Sequence, residues 1–170
     1  MAVLFRIAES HEHAAVARVI LKSYAEYGPL LPPEAWERYS QNILDVRSRM
    51  TESELLIAVE DGEIVGSATF YPHRLKRTQS EWPPEWTGAR LIAVLPERRG
   101  RGIGKALVEE CIRRSRDQNA AAFALHTTPY MQLAQGMYER MGFVRVPEYD
   151  FHPRPDLTVM AYKYDLSDTV

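Results

Sequence analysis

Arginine and glycine alternate through Arg99-Gly100-Arg101-Gly102-Ile103-Gly104, and Lys105 follows. Glycines at this spacing let a backbone turn sharply and come close to a ligand. An apolar, strand-like segment, Ala89 to Leu95, precedes the run and is closed by Pro96. A segment of helical periodicity, Lys105 to Arg116, follows it. A glycine-dense turn from strand to helix offers several backbone N–H groups at a helix start, an arrangement suited to a phosphate or pyrophosphate. Arg99, Arg101 and Lys105 add positive charge.

Two nucleotide sites do not fit. A P-loop needs Gly-x-x-x-x-Gly-Lys followed by a hydroxyl. Here the first glycine would fall on Arg99, and Ala106 follows Lys105. A dinucleotide fold needs Gly-x-Gly-x-x-Gly and a carboxylate at the end of the next strand. The spacing is Gly100-x-Gly102-x-Gly104, and the next strand ends Leu125-His126-Thr127. An RNA-binding basic turn is the bland alternative. A formal net charge of −2 and the run's place between strand and helix argue against a nucleic-acid partner.

A third pattern, Arg/Gln-x-x-Gly-x-Gly/Ala, is met by Arg99, Gly102 and Gly104. From Val94 to Gly104 the chain resembles the acetyl-coenzyme A motif of the GNAT superfamily of N-acetyltransferases. A second motif, Ala134 followed by Tyr138-Glu139-Arg140-Met141-Gly142-Phe143, looks like that family's Tyr-Glu-x-x-Gly-Phe helix end. The resemblance implies an α/β fold, a mixed, mostly antiparallel central sheet with helices on both faces, over a single domain 1–170. It implies direct transfer of an acetyl group from acetyl-CoA to a primary amine, without a metal. The backbone of Arg99, Gly100, Arg101, Gly102, Ile103, Gly104 and Lys105 would hold the pyrophosphate. The backbone of Ile92, Ala93 and Val94 would face the acetyl group and the pantetheine arm, with Ile92 N–H as an oxyanion-type donor. Tyr138 matches the general acid. Its reference pKa of ~10 is reasonably matched to a departing thiolate of pKa ~8.5.

The amine must lose a proton, and no side chain clearly claims that task. Some family members carry a glutamate in the acetyl-site strand, but Gly88, Ala89, Arg90 and Leu91 precede Ile92. His126 is the first choice, because its reference pKa suits base work. Glu81, Glu85, Glu148 and Asp150 are alternatives, and water is another. Met131 stands where many members place an asparagine that contacts the pantetheine arm. The acceptor pocket is expected from the Tyr24–Pro33, Trp82–Trp86 and Asp150–Asp156 regions, and the acceptor itself is open. A coenzyme A-binding sensor without catalysis is the competing reading.

The elements that must position these residues read in the order β α α β β β α β α β β. Val3 to Ala8 is a strand. Ser10 can cap a helix from His11 to Tyr27, ended by Gly28-Pro29. Pro33 starts a second helix with Trp36, Tyr39, Ile43 and Val46 on one side. Strands Glu54–Val59 and Glu63–Tyr71 flank Asp61-Gly62, a hairpin signal. A long connection, Pro72 to Gly88, contains Trp82-Pro83-Pro84-Glu85-Trp86. Beyond the glycine run, the helix buries Ile103, Ala106, Leu107 and Cys111. Ala121 to His126 is a strand. Thr127 or Thr128 caps a helix with Pro129 in its first turn, and Gly142 closes it. Phe143–Val146 and Leu157–Leu166 are the last strands.

The 170 residues are 45% hydrophobic and 26% charged, as in a soluble globular protein. A single cysteine excludes an intramolecular disulfide and a multi-cysteine zinc site. No apolar run approaches the ~20 residues of a membrane span, and Arg6 comes too early for a secretory signal. The expected location is the cytoplasm, with no membrane partner, and a homodimer is open.

Overall fold

The computed structural model describes residues 2–73 and 82–166. Along the chain these form β1 (Leu4–Ile7), α1 (His13–Tyr24), α2 (Pro33–Leu44), α3 (Val46–Arg49), β2 (Glu54–Glu60), β3 (Glu63–Tyr71) and β4 (Trp86–Val94). There follow α4 (Ile103–Asp117), β5 (Ala122–Thr127), α5 (Gln132–Met141), β6 (Val144–Arg145), β7 (Phe151–Arg154) and β8 (Leu157–Asp165). The strands make one mixed sheet in the order β1-β2-β3-β4-β5-β8-β6, with β7 also on β8, flanked by the helices. The β4–β5 pair is parallel. Pairs β1–β2, β2–β3, β5–β8, β6–β8 and β7–β8 are antiparallel.

The chain groups into two compact units, Met1–Phe70 with Leu91–Glu110, and Tyr71–Arg90 with Cys111–Val170. In the first, Leu55, Leu56, Ile57 and Ala58 of β2 are all buried. A strand apolar on both faces needs cover on both. Val16, Ala17 and Ile20 of α1 and Ile43 of α2 join this core. The hairpin forms where expected, with Asp61 at φ 52° and Gly62 at φ 79°, the two positive values of a type I′ turn. Gly66 of β3 has no room for a side chain, because a Cβ would lie 2.9 Å from the Ala93 carbonyl oxygen and 3.2 Å from Leu107.

In the second unit, Phe123, Leu125, Tyr162, Cys111 and Ile112 are buried. Thr87 of β4 and Ser115 of α4 share a buried hydroxyl–hydroxyl bond of 2.6 Å, and Ser115 donates to the Cys111 carbonyl at 2.7 Å.

Four local expectations are revised. Ser10 does not cap α1. It lies in a short turn, Ser10–Glu12, where the Glu12 carboxylate, held by Arg6 at 2.7 and 2.9 Å, accepts the Glu9 N–H at 2.8 Å. A charged acceptor fixed by a guanidinium is stronger than a serine hydroxyl. The α-helix ends at Tyr24, and Ala25–Leu30 continue as a tighter turn that includes Pro29. Pro129 does not open α5. The Met131 N–H bonds the Thr128 carbonyl at 3.0 Å, so Pro129 occupies the second place of a β-turn, a position its fixed φ suits. Residues 151–154 form β7 rather than part of a loop, since an edge strand tolerates Pro153.

Candidate active site

The glycine run bridges β4 and α4. Gly100 and Gly102 adopt φ 78° and 82°, a region where a side chain is strained. The first helical bond of α4 runs from the Ala106 N–H to the Gly102 carbonyl at 3.0 Å. Gly102 therefore caps the helix, and the N–H groups of Ile103, Gly104 and Lys105 form a first turn without intrahelical acceptors. A Cβ on Gly100 or Gly102 would meet nothing within 4 Å, so this face of the loop is open to a ligand. The fifteen-residue α4 adds its dipole. Ile103 buries its side chain and offers only backbone. Lys105 is exposed, 3.9 Å from Glu109.

The arginines beside this turn are engaged within the protein. Arg99 donates from Nε to the Val94 carbonyl at 3.2 Å, from Nη2 to the Ser23 carbonyl at 2.8 Å and from Nη1 to Glu26 at 2.5 Å. Arg101 and Arg98 both donate to Glu60, the last residue of β2. Glu60 is 2% exposed. Arg101, foremost, holds its carboxyl below the usual range against the opposing effect of burial, and Arg98 adds to this.

β4 bends just before the residues expected at the acetyl group. Leu91 is buried at φ 52°, a left-handed conformation that costs a non-glycine residue about 1–3 kcal/mol. The register with β5 ends at Ala89–Leu125. Past the bend, the Leu95 N–H bonds the Val65 carbonyl of β3 at 2.9 Å. The Ile92 carbonyl accepts from the Tyr24 phenol at 2.8 Å. Ala93 is buried, and Ile92 and Val94 are half-buried. Tyr24, Tyr27, Trp36 and Tyr39 form one aromatic group in this unit, with centroids 5.8 to 6.2 Å apart between neighbours.

Tyr138 and His126 belong to the other unit. The helix end at Tyr138 has a plain physical origin. Gly142 sits at φ 101°, the Phe143 N–H bonds the Tyr138 carbonyl at 3.0 Å, and the Gly142 N–H bonds the Glu139 carbonyl at 3.1 Å. These bonds define a Schellman cap, which brings the residue after the glycine against the residue five before it. The Phe143 ring accordingly lies 5.5 Å from the Tyr138 ring. Glu139 accepts from the buried Tyr162 phenol at 3.0 Å. Tyr138 is 4% exposed.

His126, on β5, stacks on Trp82 at 4.5 Å and meets Phe151 edge-on at 4.9 Å. Its Nε2 lies 3.0 Å from the Tyr149 carbonyl. A carbonyl only accepts, so Nε2 is the donor in this contact. Trp86 and Tyr149 pack beside Trp82 at 6.0 and 5.5 Å. Among the other carboxylates considered, Glu85 and Glu148 are exposed, and Glu81 lies outside the described residues. Asp150 is a poor base. Arg145 holds its carboxyl below the usual range at 2.6 and 2.8 Å, opposed by burial and aided by the Ala161 N–H at 2.8 Å. Among the described residues, no group of three or more His, Cys, Asp or Glu could hold a metal ion. No described helix is long and apolar enough to cross a membrane.

The sequence pattern of the acetyltransferase (GNAT) family matches residues 16–143. The chain belongs to this family. Its GNAT sequence is 32% identical over 108 residues to N-acetylaspartate synthetase of Danio rerio, covering 64% of this chain and 36% of that protein. The match thus spans about a third of that relative's length. The GNAT fold is shared with PaiA N-acetyltransferase of Thermoplasma acidophilum, solved in complex with coenzyme A. That similarity has a TM-score of 0.71 at 17% identity over 96% of this chain and 100% of that one. It is shared also with the ribosomal-protein-S18-alanine N-acetyltransferase of Escherichia coli, with a TM-score of 0.72 at 16% identity over 99% and 97%.

Three site features of this GNAT chain escape sequence reasoning. Nothing local marks Leu91 for a left-handed conformation. Tyr24 looks like one more aromatic on a stripe. Glu60 stands next to a visible turn, yet its arginine partners are 38 and 41 residues away.

Proposed function

We propose that this chain is an N-acetyltransferase that moves an acetyl group from acetyl-CoA to a primary amine. The observation that carries the reading is the open turn at Gly100–Lys105, with two positive-φ glycines and a helix start, in a chain of this family. Such a turn fits the pyrophosphate of coenzyme A. When bound, acetyl-CoA supplies the thioester-linked acetyl group. The N–H groups of Ile103, Gly104 and Lys105 bind the pyrophosphate. Backbone groups of Ala93 and Val94 orient the pantetheine arm. Ile92 N–H stabilises the charge that develops on the acetyl oxygen. After the nitrogen has added to the acetyl carbon, Tyr138 gives its phenolic proton to the sulfur as the carbon–sulfur bond breaks, and it regains a proton from the newly acylated nitrogen. His126 takes the proton that an ammonium acceptor must lose before its nitrogen attacks.

The test is release of coenzyme A from acetyl-CoA with a panel of amines (amino acids, polyamines, aminoglycosides and peptides with free N-termini). The wild type is expected to turn over with at least one class. His126→Gln is expected to lower kcat/KM while leaving coenzyme A affinity near wild type. Binding of acetyl-CoA with no transfer to any class, and a Tyr138→Phe variant indistinguishable from wild type, would replace this reading with a coenzyme A sensor.

A further inference from the structure

The turn proposed above for the pyrophosphate is anchored by its own guanidinium groups. On one side Arg99 is fixed by Val94, Ser23 and Glu26. On the other, one buried carboxylate takes two arginines. Oε2 of Glu60 accepts from Arg98 and, at 3.0 Å, from Arg101, while Oε1 accepts from the second nitrogen of Arg101. Arg98 donates from its other terminal nitrogen to Glu63 at 3.0 Å. Gly100 lies between these anchors and Gly102 directly follows the last of them, and glycine is the residue type with most conformational freedom to lose on ordering.

We propose that Glu60 is a positioning residue for the coenzyme A loop, and that Arg98 and Arg101 serve the loop rather than the phosphate. The inference rests on the acetyl-CoA reading above. Its physical content is pre-organisation. Ion pairs on a buried anion fix the turn before the ligand arrives, so the converging N–H groups need no ordering on binding. A guanidinium is suited to this because its planar fork meets both carboxylate oxygens. An arginine that contacted the phosphate instead would be restrained by Glu60, and freeing it would help the ligand. The two roles therefore predict opposite signs for one substitution.

The experiment is calorimetric titration of coenzyme A into wild type, Glu60→Gln, Arg101→Gln and the double variant. The positioning role predicts that Glu60→Gln and Arg101→Gln each weaken Kd by about tenfold, and that the double variant is no weaker than the worse single one, as for two members of one contact. It also predicts that KM for acetyl-CoA rises in each while kcat at saturation stays within about twofold. Arg101→Lys keeps the charge and loses the fork, so it weakens Kd in the same direction. It serves where Glu60→Gln fails to fold. A Glu60→Gln or Arg101→Lys protein that binds coenzyme A as tightly as wild type or more tightly overturns the positioning role alone. A wild type that does not bind coenzyme A overturns the acetyl-CoA reading, and this inference with it.

Discussion

The phenol of Tyr24 donates to the backbone carbonyl of Ile92 at 2.8 Å, tying the end of α1 to the strand just beyond its bend at Leu91. In Tyr24→Phe the ring contacts with Tyr27 and Tyr39 persist, and the bond is lost at a cost of about 1 kcal/mol. The expected result is a small drop in Tm with a fall in kcat of roughly tenfold, because a slightly displaced backbone donor misses the developing charge. Thermal melts and steady-state kinetics on the same preparation check both. Unchanged kcat would remove Tyr24 from the positioning of Ile92.

Tyr138→Phe keeps the ring that packs on Phe143 and removes the phenolic hydroxyl proposed to protonate the leaving sulfur. Folding and coenzyme A affinity should stay near wild type. The expected loss in kcat is at least about 100-fold, largest for acceptors whose chemical step is limiting. Single-turnover rates separate that step from product release.

The three glycines of the run should respond differently to alanine. At Gly100 and Gly102 there is room, but φ is positive, so alanine costs about 1–2 kcal/mol of backbone strain and coenzyme A binding weakens. At Gly104 no positive φ arises and a Cβ would touch Val94 at an ordinary 3.6 Å. Gly104→Ala should leave Tm unchanged or raise it, with up to about 1 kcal/mol of helix preference in its favour. It should also retain binding. Differential scanning calorimetry with and without coenzyme A compares the set.

Acid should erode stability through Glu12. Arg6, then the Glu9 N–H, hold its carboxyl down to about 2 from an ordinary 4.5. A group depressed in the folded state stabilises above its unfolded value and loses that contribution as pH falls through the folded value. Glu12→Gln should therefore lower Tm at neutral pH, and the gap to wild type should close between 4.5 and about 2. A gap that stays constant across this range would show that the Arg6–Glu12 pair does not set the acid limb.

The parts of the fold written in a few adjacent residues were readable in advance. Asp61-Gly62 folds into its hairpin because both residues accept positive φ. The spacing of Tyr138, Gly142 and Phe143 is that of a Schellman cap, whose contact ties the aromatic pair together. The turn from Val94 to Gly104 could be read because glycines and a proline leave a backbone few choices. What stayed hidden depends on distant partners. Tyr24 reaches Ile92 across 68 positions, and the charge assigned to Arg101 is spent on a glutamate at the end of β2. β7 was obscured by Pro153, which marks a loop by composition but is tolerated where one side of a strand is unpaired.

Cys111 is fully buried on α4, beneath a helix turn whose carbonyl is capped by Ser115 and whose Ser115 is held by Thr87. The chain therefore carries one thiol that solvent reaches only when this part of the helix opens. A chromogenic disulfide reagent added to native protein should find nothing to react with at first, so the colour formed during turnover counts product thiol alone. Left without substrate, the same mixture becomes a clock. Its slow drift gives the opening rate or opening equilibrium of α4, according to reagent concentration, without a label or a mutation.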